Sequence, residues 1–385
     1  MKLKLTIGQI YFAFVIANVL CKGIGLNSAS ILYKIIMIIG LMCVLSGVFL
    51  RKYTRKEILI SMIMLLSGIM TLVMTKQYTF LITSIAVIGI KKANIKHLIN
   101  NMCFVRVICF IATFGLAVLN IVDREKVEIW RDNAYVSRYG MGYGHPNILH
   151  LTLFIVLTLV YYCKERNKLQ QIRYLIITLG MNIFVYMYSS SRTGFLVICV
   201  FEILIIIEHF KIMQKIILKL PVVVFIVLMG FTYLTPLLNN IGVLKGTSLL
   251  NGRVEYTYLY LTRYGYSLFG FNNSLGETGL ILDNGYLRLL IETGLIGLLI
   301  WIYLNFNVMK RIKRTADCKM AIIVICFFIY IFTESFSSNI FMNYILFWGA
   351  DEIFNKSRQW RKINDNDFYT NLQSKRFTFK FKRKS

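Results

Sequence analysis

Acidic residues are scarce in this chain. There are 18 Asp and Glu against 44 Lys and Arg, and charged residues make up only 16% of the whole. A soluble protein of 385 residues needs far more polar surface than that, so a soluble domain is excluded. Proline occurs three times, too rarely to interrupt long helices often. The eight cysteines form no C-x-x-C pair and avoid both long loops placed below, which argues against a disulfide framework or a zinc site. His97, His145, His150 and His209 are scattered, so no metal-ligand cluster is expected. No Walker motif is present to cradle a nucleotide. The net charge of +26 is held in short clusters between apolar runs, where it sets membrane topology and not nucleic-acid binding.

What the chain has in abundance is apolar sequence: 57% hydrophobic residues and a mean hydropathy of +0.63. Runs of about 17–22 apolar residues recur from end to end, the length a membrane-crossing helix needs. The expected fold is therefore all-α, a polytopic helical membrane protein. Spans are placed at about 6–22, 30–50, 57–75, 77–92, 101–121, 146–163, 172–188, 192–209, 217–235, 285–306, 319–334 and 338–350. The fourth and twelfth are short, so the count is twelve, or ten to eleven if these do not cross. The N-terminal stretch MKLKLTIGQIYFAFVIANVLC resembles a signal peptide, but no A-x-A-like site follows it, and it reads as the first span. Residues 1–354 form one integral membrane domain, and 355–385 form a basic tail.

Lysine and arginine gather in alternate connections: RKYTRK, KKANIK, KERNKLQQIR, Lys211 to Lys219, KRIKRTADCK and the tail. These mark the cytoplasmic side of the cytoplasmic (inner) membrane and put both termini there. The tail, ending SKRFTFKFKRKS, is read as a topogenic and solvated segment that can touch anionic lipid. The remaining cations are mostly arginines in two long outer loops, 122–145 and 236–284, and in the helix ends beside them. Long ordered loops tend to carry function. The second contains NGRVEYTYLYLTRYGYSLFGF, dense in tyrosine and expected to include a short interfacial helix. Such rings suit the lipid interface, and they also suit stacking on sugars.

Three motifs fall at the outer ends of spans that run inward. RYGMGYGHPN carries Arg138, His145 and Asn147 before span six, with Pro146 in the first turn. MYSSSRTGFL places Ser191 as an expected N-cap for Arg192 and Thr193. LDNGYLRLLIETG opens span ten with Asp283 or Asn284 as cap, followed by Tyr286, Arg288 and Glu292. A charge at the bilayer centre costs roughly 2.5–3.5 kcal/mol or more, so Arg192 needs a reason. Helix N-termini with arginines nearby form anion sites. If the three starts are neighbours, a large, multiply charged, lipid-borne anion such as a polyprenyl pyrophosphate fits. Each residue also has a plainer reading. Arg192 can snorkel, Arg288 and Glu292 can satisfy each other at i,i+4, His145 can cap a helix, and Arg253 and Arg263 can be ordinary loop charges.

An outer site has no access to ATP or nucleotide sugars, so its substrate must bring its own activation. A sugar on a lipid pyrophosphate does so. The protein must then neutralise the leaving charge, which arginines can do, and take a proton from the acceptor hydroxyl, which a carboxylate or histidine can do.

At these residues the chain resembles the O-antigen polymerase/ligase superfamily, most of all the Wzy-type polysaccharide polymerases. HPN before one span, SRTG before another, a long outer loop with GR, and DNGYL…ETGLIG opening the next span carry the resemblance over roughly Arg138 to Trp301. It implies a GT-C-like architecture and a metal-independent glycosyltransferase without a cofactor. It further implies block transfer of a growing glycan (O-antigen, capsule or exopolysaccharide) from undecaprenyl pyrophosphate to a lipid-linked repeat unit, with flippase and chain-length regulator proteins as possible partners. On this reading Arg192 and Arg253 bind the donor pyrophosphate with Arg138 or Arg288, and Asp283 activates the acceptor. His145 and Glu255 are rivals for the base, the tyrosines of 256–266, Tyr256 among them, line the glycan path, and Arg263 is a further substrate-binding candidate. Ligases of the superfamily typically carry histidine where this chain has Asp283, which favours a polymerase. The alternatives are a lipid-linked oligosaccharide flippase and a ligase-like transferase with another acceptor.

Overall fold

The computed structural model describes residues 7–26, 30–131, 134–240, 253–272 and 282–355. Among these, fourteen helices and one two-stranded hairpin account for nearly all regular structure. In chain order they are α1 (Ile7–Gly23), α2 (Ile31–Phe49), α3 (Arg55–Thr75), α4 (Thr79–Ile88), α5 (Ile95–Val118), β1 (Lys126–Arg131), β2 (Ala134–Tyr139), α6 (Pro146–Cys163), α7 (Lys168–Ser189), α8 (Arg192–Ile207), α9 (Lys211–Tyr233), α10 (Thr235–Asn240), α11 (Arg253–Tyr264), α12 (Gly285–Thr315), α13 (Cys318–Thr333) and α14 (Ile345–Phe354). Seven of them, α2, α3, α5, α6, α7, α9 and α12, are long and apolar enough to cross a membrane, and α1, α4 and α13 are shorter apolar helices. The chain is a polytopic helical membrane protein.

The layering confirms a lipid environment. α6 and α13 are buried along nearly their whole length, whereas α2, α3, α7 and α9 turn Ile, Leu, Met and Phe outward. Phe49 is 84% exposed and Met187 74%, an arrangement tolerable only against hydrocarbon. α13 packs on α8, α9 and α6, and α12 packs on α3, α9 and α14.

Local chemistry starts the helices. Thr54 and Glu57 form a reciprocal capping box at α3, and Asn167 and Gln170 form one at α7. Asn94 and Asp317 cap α5 and α13. The basic connections meet at this end. Glu57 pairs with Lys91, Arg311 with Asp351, and Arg314 with Glu352 at 2.7 Å. Arg51 donates to the Gly89 carbonyl at 2.5 Å, and the Asn355 amide donates to the Ile90 carbonyl at 3.1 Å.

Two departures from the sequence reading concern helix ends. The fourth expected span, 77–92, is helical only over Thr79–Ile88. The twelfth, expected at 338–350, is replaced by an irregular turn over 334–344 followed by α14. The turn survives in an apolar core because side chains from distant helices satisfy its backbone. The Thr83 hydroxyl donates to Ser338 O at 2.6 Å, Trp301 Nε1 to Ser337 O at 2.9 Å, and the fully buried Arg106 to Phe341 O at 2.8 Å.

Candidate functional site

The end of the bundle opposite the basic connections carries the hairpin. β1 and β2 pair antiparallel with Lys126 opposite Tyr139 and Trp130 opposite Tyr135. The hairpin was not legible in the sequence. After β2 the chain turns through Met141, Gly142 and Gly144, all at positive φ, into Pro146 at the start of α6. The turn lies so close to α1 that a Cβ on Gly25 would sit 2.2 Å from the Gly142 carbonyl oxygen. Glu125 accepts a bond from the Gly144 N–H. Burial raises the pKa of its carboxyl, with that bond working against the shift and Asp123 adding to it.

His145 caps α6, its Nδ1 accepting from Asn147 N at 3.2 Å. Burial and then the neighbouring Arg138 lower its pKa, while Asp283 opposes them, so the three groups share one electrostatic neighbourhood. The Arg138 side chain is buried behind the hairpin. Its Nε donates to Ser189 O at 2.8 Å, and its terminal nitrogen to Asn147 Oδ1 at 2.5 Å. Asn147 in turn donates to a Glu334 carboxylate oxygen at 2.7 Å.

The SRTG motif lies directly against this group. Ser190 adopts the left-handed conformation that ends α7. The Ser189 hydroxyl meets His150 Nδ1 at 2.9 Å, and His150 Nε2 meets Asn182 Oδ1 at 2.8 Å, so the fully buried His150 is a satisfied core histidine. Gly194 permits close packing, since a Cβ there would lie 2.7 Å from the Tyr330 hydroxyl and 2.8 Å from His150. The expected cap at Ser191 does not form. The residue occupies the N-cap position with ψ 89, outside the extended geometry of a serine cap, and its buried hydroxyl has no hydrogen-bond partner among the described residues. Arg192 opens α8 with an exposed side chain, and Thr193 is half-buried.

At α12, Asn284 and not Asp283 is the cap, accepting from Tyr286 N at 3.0 Å and Leu287 N at 3.3 Å. Tyr286 was expected on the substrate. Instead it is fully buried, donates its hydroxyl to Phe328 O at 3.0 Å and accepts from the Tyr233 hydroxyl at its own carbonyl, which makes it a packing residue. Arg288 Nε donates to Glu292 at 2.6 Å, and its NH1 to the Ser335 hydroxyl at 2.8 Å. One turn later the helix breaks at Gly294, with φ 68 and ψ −173. The segment after α11 fills the break: Leu295 N donates to Ser267 O, Ile296 N to Leu268 O, and Phe271 N to Ile291 O. This strap replaces the hydrogen bonds that the helix loses. The short helix expected in loop 236–284 is α11.

Sequence reasoning missed the turn after α13. Glu334, Ser335 and Asn339 sit there, and Gly285 abuts the Glu334 carbonyl so closely that a Cβ would approach it to 2.7 Å. The signal available was TESFSSN, a polar run with a carboxylate between two apolar stretches. Beside this turn lies a cavity of about 390 Å³ bordered by Lys22, Gln77, Arg288, Glu292, Glu334 and Asn339. That volume falls within the roughly 300–1,000 Å³ usual for ligand pockets.

Neither family models nor curated proteins nor solved structures offer a match to this chain.

The structure thus brings together Arg138, His145, Asn147, Asp283, Arg288 and Glu292, and it adds Glu334. It does not bring every candidate to the cavity. Arg263 is exposed with its guanidinium 5.7 Å from the Tyr264 ring centre, Tyr256 is half-buried, and Arg192 is not among the lining residues. The side chains of Arg253 and Glu255 lie outside the described residues. Among the described residues no three His, Cys, Asp or Glu side chains converge as metal ligands would.

Proposed function

We propose that this protein is a polysaccharide polymerase of the Wzy type, a GT-C-like membrane glycosyltransferase of ten to twelve spans whose hairpin-bearing end faces away from the cytoplasm. It transfers a growing glycan from undecaprenyl pyrophosphate to a lipid-linked repeat unit. The observation that carries the reading is the meeting of three helix starts at one end of the bundle, where Arg288, Glu292 and Glu334 line a ligand-sized cavity and Asn147, bonded to Arg138, donates to Glu334. Basic connections gathered at the opposite end support the orientation.

Arg192, at the N-terminus of α8, and Arg253, which begins α11, bind the donor pyrophosphate and neutralise the charge that develops as it leaves. Arg138 has a different task from the one its charge suggested. It is committed to Ser189 and Asn147 and positions its neighbours. Asp283 or Glu334 accepts the acceptor proton.

Incubating the purified protein with lipid-linked repeat unit alone tests the reading. The expected product is a ladder of polymer. Translocation of the substrate without polymer would instead indicate a flippase, and transfer only to a different acceptor a ligase-like enzyme. Arg192→Lys, which loses the bidentate fork, should insert normally and make no polymer. Wild-type polymer length in that variant would remove Arg192 from the mechanism.

A further inference from the structure

We infer that this end of the bundle holds a second anion site, built by Lys22, Arg106 and the start of α4, and that it takes the pyrophosphate of the lipid-linked acceptor. The assignment to the acceptor rests on the polymerase reading, whereas the anion site itself does not. After each transfer the polymer stands on the acceptor's own lipid, which becomes the donor of the next round. Donor and acceptor therefore carry the same pyrophosphate, and Arg192 and Arg253 serve only one of the two.

Arg106 lies on α5 with no exposed surface. One terminal nitrogen donates to Phe341 O at 2.8 Å and meets Met342 Sδ at 3.5 Å. Its Nε and its other terminal nitrogen have no hydrogen-bond partner among the described residues. Holding the 334–344 turn uses a single nitrogen, and a neutral donor would serve for that. A buried cation without a counter-charge is costly, so this one calls for an anion close by. Lys22, in the last turn of α1, lies within electrostatic reach of the guanidinium, its ammonium 4.5 Å from the Tyr33 ring centre. The titratable groups acting on these cations are Cys21, Cys109, Tyr143 and, for Lys22, Arg106 itself. Among the described residues no carboxylate acts on either.

The two cations meet where two cavities adjoin. The larger is the one beside the 334–339 turn, and a second of about 80 Å³ shares Lys22, Thr79 and Asn339 with it. Arg106 bonds one residue of each lining, Met342 of the larger and Phe341 of the smaller. Glu292 and Glu334 line the larger cavity alone. At the junction α4 begins: Thr79 is its first residue, and no side chain caps it. Its free N–H groups and positive dipole end face the place where an anion would sit. Lys22 and these N–H groups make the contacts, and the guanidinium behind Met342 supplies the second charge across a low-dielectric wall. Ile148 and Leu151 on the larger cavity suit the lipid tail.

The test uses full-length protein in phosphatidylcholine nanodiscs, with farnesyl pyrophosphate, a short polyprenyl pyrophosphate without sugar, as the probe. The wild type should bind two molecules. Lys22→Gln should weaken one of them about 10–100-fold, the loss of one charge-assisted hydrogen bond, and Lys22→Arg should restore it. Arg192→Lys should weaken the other. Arg106→Gln keeps a donor for Phe341 O, so it should fold normally and weaken the same molecule as Lys22→Gln. Two full-affinity sites in Lys22→Gln would overturn the site. Full affinity in Arg106→Gln, with less folded protein, would assign Arg106 to the turn alone and remove it from the site. Inorganic pyrophosphate binding there as tightly as the probe, or phosphatidylglycerol displacing it, would overturn the assignment to a lipid-linked acceptor. Binding is read without turnover. A protein that filled both sites yet made no polymer from lipid-linked repeat unit would sink the polymerase reading and still support the anion site.

Discussion

Arg138 illustrates how much of this molecule depends on single hydrogen bonds made across long stretches of sequence. Its guanidinium joins β2 to the end of α7 and to the first turn of α6. Lysine can present the charge but cannot reach Ser189 and Asn147 in the same fork geometry. Arg138→Lys should therefore cost about tenfold or more in polymer formation while membrane insertion is unchanged, measured by product length and by yield of folded protein. The two titrating groups beside it act in opposite directions. His145 has a depressed pKa, so its contribution to stability is present above the ordinary imidazole value of about 6.5 and is lost as pH falls through its folded value. Glu125 has a raised pKa, so its contribution is present below the ordinary carboxylate value and is lost as pH rises through its folded value. On acidification from pH 7 the His145 contribution lowers the thermal midpoint while that of Glu125 raises it, so His145→Asn, which keeps a cap acceptor, should remove the falling component and change the slope. The same slope in the variant would assign the acid sensitivity to another group.

At the level of elements, the helix starts were readable because their signals are local. His145-Pro146 and Asn284 lie within a few residues of the N–H groups they serve. Ser191 misled for the same reason, since its identity suggests a cap but the backbone handed on by Ser190 does not. The break in α12 and the turn over 334–344 were invisible, because the groups that stabilise them come from Ser267, Leu268, Thr83, Trp301 and Arg106. The break makes a sharp prediction. Gly294 combines φ 68 with ψ −173, a region open almost only to glycine, and a Cβ would come within 2.4 Å of the Leu268 backbone. Gly294→Ala should cost at least about 1–3 kcal/mol in strain alone, seen as a lowered thermal midpoint and faster proteolysis within 265–272. A variant as stable as the wild type would mean that the helix can run straight.

Across the whole molecule, the two ends are built on different principles. One end is fastened by ion pairs between α12 and α14, with Asp351 only 2% exposed. Removing Arg311 takes its cation from that carboxylate and leaves it the Asn355 amide at 2.9 Å, and a broken buried pair costs about 3–5 kcal/mol, so Arg311→Ala should sharply reduce the yield of folded protein. Arg311→Ala with Asp351→Asn should restore much of it. The other end combines the Arg288–Glu292 ion pair with hydrogen bonds made by Arg138, Asn147 and Ser335 beside a cavity. If that end faces outward, Ser137→Cys on the exposed side of β2 should react with a membrane-impermeant maleimide in intact cells, and a cysteine at Ser357 should react only after lysis. Hydropathy and charge clustering revealed the bundle and its two faces. They could not reveal that Glu334 belongs with Asn147, because that pairing spans nearly half the chain and leaves no periodic trace.

The strap over the α12 break also has a consequence for how such proteins can diversify. Because residues 267–271 are pinned to the helix by three backbone bonds, the connection from α9 to α12 is divided into two tethers, each moored at both ends. Length or sequence can change in either tether without pulling on Arg288 or Glu292. Backbone bonds, unlike side-chain bonds, survive substitution of the residues that make them. The fastening therefore behaves as a fixed socket into which different loops can be exchanged, provided that glycine stays at 294 and at 270, where φ is 91 and a Cβ would meet the Glu292 carbonyl oxygen at 2.5 Å.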